Sequence, residues 1–408
     1  MFSKAPWRIG GTLTFLVFLA FAQSTNQMLL AQLPDKRIVH PIFYLPTELI
    51  AMMAKHLSDG DLYNLTRVSY HMASIACPIF LRRKDLTFSS HMNTVSLHGE
   101  AFKAFDVWLR SPEFSAGKRL LCSFSRDMTY AALQMKYLYR CFNEFPLQPR
   151  TFFRHVRLTD VETRNVGDLL QLLALTVFRT GCPDVTMTHV TYQEAPRRTR
   201  KSVMAGKCVV VLESLQRLKL SYFQLSLLQW GDFLSKLYIP SLHFFEVVGP
   251  TSMVAIYEFL LRHSDIHRLY FIMCVWTDIP SLSRLLDLPN LRSLRGYSYQ
   301  VKFVLSSLRS PPDLHELVID SDPAAKWQSG GFIDEFVDCL SMCEGSVTVE
   351  ISLSRESVSE LTSTAARAFA ARKLHSTRLP TVISLRIGFS DMDEVFPVCL
   401  SYPGFGSC

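Results

Sequence analysis

The sequence predicts an α+β protein: a small all-helical module near the N-terminus, followed by an irregular α/β solenoid. Three observations predict it. Short amphipathic helical stretches cluster in residues 41–84. A strand pattern recurs along the second half of the chain at steps of 23 to 27 residues. Helical stretches fall between those strands. A chain of 408 residues exceeds one ordinary core. Its hydrophobic share of 48% and charged share of 19% supply a packed interior and argue against global disorder. The net charge of +7 is a mild excess over this length and does not point to nucleic acid.

The helical module opens on Leu45-Pro46-Thr47-Glu48-Leu49-Ile50 and continues to Leu57. Pro46 suits the first turn of a helix, and Glu48 sits near its positive end. Leu49, Met53 and Leu57 recur every four residues and mark an apolar stripe. Ser58-Asp59-Gly60 breaks this helix, and Asp61 can cap the next. Leu62, Leu65 and Val68 mark that second helix. A third runs through Met72 and Ile75 and is expected to end before Pro78. About 40 residues of this kind cannot bury their apolar faces alone, so they must pack on a following domain or on a partner.

The register of Leu45, Pro46, Glu48, Leu49, Ile50, Met53, Leu57, Asp61, Leu62, Leu65 and Val68 is similar to the F-box family. Ser69 and Met72 depart from the Cys and Trp usual there. The resemblance implies that these helices dock into the Skp-type adaptor of a cullin-RING ubiquitin ligase. The adaptor-binding residues would be Leu45, Pro46, Glu48, Leu49, Ile50, Met53, Leu57, Leu62, Leu65 and Val68. The segment Phe102–Phe114 resembles a stretch that follows the F-box in fungal, mushroom-type F-box proteins; it reads as a helix and turn.

The strand pattern is clearest at Leu215, Leu218 and Leu220. It returns at Leu242, Phe245 and Val247, at Ile266, Leu269 and Phe271, at Leu291 and Leu294, and at Leu314, Leu317 and Ile319. Val349 with Ile351, and Val382, Leu385 and Ile387, continue it at wider spacing; Phe153, Val156 and Leu158 are an earlier copy. These periods fall in the leucine-rich-repeat range. Helical stretches are expected at Asp168–Thr180, closed by Gly181, and at Met253–His263, Phe332–Met342 and Glu356–Lys373. One strand and one helix per unit predict a curved solenoid with a parallel inner sheet. A non-repeating α/β domain is the alternative. The organisation is therefore a signal-like segment and linker over 1–40, the F-box over 41–84, a helical connector over 85–150 and a leucine-rich-repeat-like, substrate-binding domain over 151–408.

The N-terminus points elsewhere. Lys4 and Arg8 precede an apolar run from Leu13 to Ala22 that closes on Ala20-Phe21-Ala22, the layout of a secretory signal over residues 1–24. The run is too short for an ordinary membrane span. One glycosylation sequon, Asn64-Leu65-Thr66, lies in the helical module. The ten cysteines are scattered; Cys339 and Cys343 share a helical face and read as buried thiols, which fits a reducing compartment. The run Arg197, Arg198, Arg200 and Lys201 reads as a solvated loop.

No phosphate-binding glycine loop, metal-binding histidine helix or nucleophile elbow occurs. His263 and His267 read as a surface pair. The expectation is a non-catalytic protein with no cofactor and no metal. Its expected partners are a Skp-type adaptor, a cullin scaffold and an unknown protein client; nucleic acid and membrane are not expected. By the resemblance it resides in cytoplasm or nucleus. The competing expectation is a secreted or luminal binding protein.

Overall fold

In a computed structural model the described residues are 45–84, 87–89, 94–110, 118–144, 153–163, 165–192, 209–274, 284–320, 339–343, 346–353, 381–389 and 395–397. The chain divides into two compact units, Met1–Ser115 and Ala116–Cys408. The signal-like segment, the basic run at Arg197 and the stretch Glu356–Lys373 lie outside the described residues. So do residues 332–338 of the helix expected at Phe332–Met342.

The first unit carries α1 (Thr47–Ala54), α2 (Asp59–Leu65), α3 (Tyr70–Arg83), the antiparallel strands β1 (Thr87–Ser89) and β2 (Thr94–Leu97), and α4 (Ala101–Arg110). Both α1 and α2 pack on α3, and α3 packs on α4. Three local details differ from the sequence expectation. Pro46 is the N-cap of α1, one residue ahead of the first turn, and α1 stops at Ala54 rather than Leu57. Ser58, not Asp61, caps α2: its Oγ accepts the Asp61 N–H at 3.2 Å and donates to the Asp61 carboxylate at 2.6 Å. A capping hydroxyl three residues ahead of the acid starts the helix earlier. Pro78 does not end α3, which runs to Arg83 with Pro78 inside. Burial of Ile75, Ala76, Cys77, Phe80 and Leu81 on both sides of Pro78 outweighs the one lost backbone hydrogen bond.

The second unit is mixed α/β. Its main sheet holds ten parallel strands among the described residues. They are β3 (Lys118–Ser123), β4 (Phe153–Thr159), β6 (Asp184–Thr188), β9 (Arg217–Ser221), β11 (Phe244–Val248), β12 (Arg268–Ile272), β13 (Ser293–Tyr297), β14 (Glu316–Asp320), β15 (Ser346–Leu353) and β16 (Thr381–Phe389). The order in space is the order in the chain. A short β17 (Val395–Pro397) pairs antiparallel with β16. Two small parallel pairs flank the sheet: β5 (Glu162–Thr163) with β7 (Thr191–Tyr192), and β8 (Val210–Val211) with β10 (Leu237–Tyr238). The helices are α5 (Met128–Glu144), α6 (Val166–Thr180), α7 (Leu227–Ser235), α8 (Met253–Leu260) and α9 (Ser298–Ser307). The first four pack side by side in that order.

Residues 85–150 are not a wholly helical connector, because β1, β2 and β3 fall within them and β3 pairs with β4. The second unit accordingly starts near residue 116 rather than 151.

The apolar anchors noted in the sequence lie in register. Val156, Leu218, Phe245, Leu269, Leu294, Leu317, Val349 and Leu385, joined by Val185 between the first two, face one another strand by strand. Those from Val156 to Val349 are wholly buried. They point toward the helices, as the Phe245–Phe259 ring contact at 4.9 Å shows. Two of these ten parallel strands escaped the sequence reading: β3, anchored by Leu120 and Cys122, and β6, anchored by Val185 and Met187. Only Leu120 of these four anchors is a leucine, so no repeated leucine pattern announces them.

One anchor is replaced. β13 carries Gly296 where its neighbours carry a large apolar residue. A Cβ there would stand 2.9 Å from the Gln300 Oε1 and 3.4 Å from the Phe271 Cβ. The fully buried Gln300 fills the space instead, accepting the Tyr297 N–H at 3.0 Å and donating to the Cys274 carbonyl at 2.8 Å. The expected end of α6 is met: Gly181 adopts φ 63° and its N–H returns to the Val177 carbonyl.

Candidate functional site

Two surfaces carry the functional expectations, and each belongs to one unit. In the helical unit, Ile50 and Ala54 of α1 are buried against the core. Leu49 is 45% exposed and Met52 59% exposed, while Leu45, Met53 and Leu57 are half-buried. Leu49 and Met52 are therefore on the open side of α1, with Met53 half-open beside them, and the core is made by Ile50 and Ala54. Pro46 and Glu48 are exposed at the start of the helix. On α2, Leu62 is fully buried and Leu65 half-buried; Val68, just beyond, is 60% exposed. Of the ten residues named for docking, Ile50 and Leu62 thus hold the unit together and offer nothing to a partner. Met52 and Tyr70, both exposed, belong to the open apolar surface and were not singled out. Met52 stands beside Met53, so a wider stripe on α1 would have included it.

Arg83 fixes this arrangement. Its guanidinium donates to the carbonyls of Lys55 and Leu57 at 2.5 and 2.7 Å and to the Asp59 carboxylate at 3.1 Å. Lys84 adds a second contact to Asp59 at 2.6 Å. The turn between α1 and α2 is thereby tied to the end of α3. The Lys84 hydrogen bond, with Arg83 beside it, holds the Asp59 carboxyl below its ordinary range against the opposing effect of burial. Ser69 caps α3 by accepting the Met72 N–H at 3.2 Å. Met72 is fully buried in the core of this unit.

In the second unit, the strand residues between the anchors form a charged face. Lys219 pairs with Glu246. Arg295 grips Asp320 through two hydrogen bonds of 3.0 Å each. Burial pushes the Asp320 carboxyl up, against the pull of Arg295. Glu316 accepts hydrogen bonds from Ser293 at 2.5 Å and Tyr270 at 3.3 Å. Arg217 lies over the Phe244 ring at 4.8 Å. Neighbouring strands thus exchange charge for charge along one face of the sheet, while the anchors line the other.

His263 and His267 do not form a pair. His263 is buried: its Nδ1 meets the Phe259 carbonyl at 2.6 Å, and its Nε2 accepts the Ile239 N–H at 3.0 Å. That geometry requires the neutral ring with the proton on Nδ1. Burial lowers its pKa to about 4, with Arg262 acting in the same direction. His267 instead stacks on His243. Among the described residues no group of three or more His, Cys, Asp or Glu could hold a metal ion. The described cysteines are free and buried; Cys339 and Cys343 share one helical turn, and burial pushes the Cys343 thiol up to about 12. No helix among the described residues is long and apolar enough to cross a membrane. No protein-family model matches the chain, and neither does any curated protein.

Proposed function

We propose that this protein is the substrate-recognition subunit of a cullin-RING, SCF-type ubiquitin ligase. The helical unit is its F-box, and the second unit is a leucine-rich-repeat-like solenoid that holds a client. The observation that carries the reading is the run of open or half-buried apolar residues Leu45, Leu49, Met52 and Met53 on a unit whose core is already filled by Ile50, Ala54, Leu62 and Met72. Exposed apolar surface of this kind marks a protein contact. The sequential order of the parallel strands supports the solenoid reading, since a doubly wound sheet reverses its strand order. The protein performs no bond chemistry in this scheme. It raises the effective concentration of client lysines near the conjugating enzyme.

The test is binding of the full chain to a recombinant Skp-type adaptor. The double substitution Leu45→Ala, Pro46→Ala should abolish binding while circular dichroism of the folded chain is unchanged. Full binding by that variant, or none by the folded wild type, defeats the proposal. Secretion is the second reading, motivated by residues 1–24; it requires cleavage after Ala22 and a glycan on the exposed Asn64.

A further inference from the structure

A row of basic and titratable residues runs along the N-terminal edge of β11 to β14. His243, His267, Arg292 and His315 each immediately precede a strand. The row is regular because the backbone is: His267 N–H donates to the His243 carbonyl, Arg292 N–H to His267, and His315 N–H to Arg292, each at 2.8 Å. Successive side chains therefore stand one strand spacing apart, about 4.8 Å. The His243 and His267 rings stack at 4.8 Å and 10°, the same spacing. Arg268, the first residue of β12, lies beside them. His243, Arg268, Arg292 and His315 are exposed, and His267 is half-buried. Neither Arg268 nor Arg292 has an ion-pair partner among the described residues.

The nearby acids are few and partly engaged. Asp265 adjoins His267, and Asp313 lies 3.9 Å from His315. Asp184, next to Arg217 on the neighbouring strands, is shared between His155 at 3.3 Å and Arg217 at 3.8 Å. Glu316 is held by Ser293 and Tyr270. With neutral imidazoles, Arg268 and Arg292 are roughly balanced by Asp265 and Asp313. Protonation of His243, His267 and His315 makes the edge strongly positive.

We propose that this edge is a docking surface for an acidic, extended polypeptide segment, gripped by Arg268 and Arg292 and by the imidazoles of His243, His267 and His315. The inference stands on the second unit alone and does not depend on the adaptor reading. Four strand positions span about 14 Å, the length of about four extended residues. Partial burial, the adjacent His243 and the cations Arg292 and Arg268 disfavour the charged form of His267, and Asp265 only partly opposes them. An arriving run of carboxylates reverses that imbalance, so binding takes up protons and tightens as pH falls.

The test is fluorescence anisotropy of the full chain with labelled hexaglutamate and hexaglutamine peptides at pH 7.5 and 5.5. Hexaglutamate should bind and tighten about three- to tenfold on acidification, as an average uptake of about a quarter to half a proton per complex over the two pH units requires. Hexaglutamine should not bind at either pH. The double variant His243→Gln, His267→Gln should lose most of the pH dependence, because of the three imidazoles only His315 remains. Arg292→Gln should weaken binding about two- to fivefold at both pH values, the worth of one exposed ion pair. Equal binding of the two peptides overturns the proposal in the wild type, whatever the variants do. An unchanged pH dependence in the folded histidine double variant overturns it as well.

Discussion

His263 makes the stability of the second unit depend on pH. The buried ring is held neutral by the Ile239 N–H on Nε2, and burial lowers its pKa to about 4 from the ordinary 6.5. Below pH 6.5 the unfolded chain takes up a proton that the folded chain refuses, so stability falls as pH falls from 6.5 toward 4. The full separation corresponds to about 3 kcal/mol, and about 1.4 kcal/mol of it is expressed between pH 7.5 and 5.5. Glutamine at this position keeps a donor and an acceptor but does not titrate. Urea unfolding of the wild type and of His263→Gln at the two pH values isolates this one residue. The stability advantage of the wild type should shrink by about 1.4 kcal/mol on acidification. A difference that is flat with pH would show that the imidazole titrates alike in both states and would refute the buried, neutral assignment.

Other expectations follow from the packing of both units. Leu49→Asp, on the open stripe of α1, should leave the melting temperature nearly unchanged yet remove adaptor binding. Ile50→Ala, in the core beneath it, should cost about 2–4 kcal/mol of unfolding free energy. If both substitutions destabilise alike, α1 is rotated from the orientation described. Gly296→Ala should destabilise by about 1–3 kcal/mol, because the new Cβ meets the buried Gln300 and Phe271; denaturant midpoints test this. Arg262 donates to the carbonyls of Leu234, Ser235 and Leu237 at 2.7 to 3.1 Å, closing the end of α7. Arg262→Ala should cost about 1–3 kcal/mol and speed amide hydrogen exchange in α7; unaltered exchange there would rule out that role.

How much was legible beforehand depended on how local each signal was. The anchors Leu218, Phe245, Leu269, Leu294 and Leu317 repeat a spacing that any strand feeding a sheet must keep, so they could be read singly and then aligned. The close of α6 at Gly181 was equally local, since a left-handed residue is favoured there by its own lack of a side chain. β3 and β6 were missed because Cys122, Val185 and Met187 resemble no leucine pattern; their burial depends on neighbours distant in sequence.

The sequence by itself determined the order of elements, the apolar stripe of α1 and the phase of most strands, because each follows from a period of 3.6 or 2 residues within a short window. Only the tertiary structure decided which side of a stripe is core. Leu49 and Ile50 are adjacent and equally apolar, yet α3 covers one and leaves the other open. Tertiary contacts likewise carried α3 through Pro78, put Gln300 in place of an anchor beside Gly296, and drew His263 inside while leaving His267 on the strand edge. In each case the free energy comes from groups brought together by folding, and no spacing along the chain encodes it.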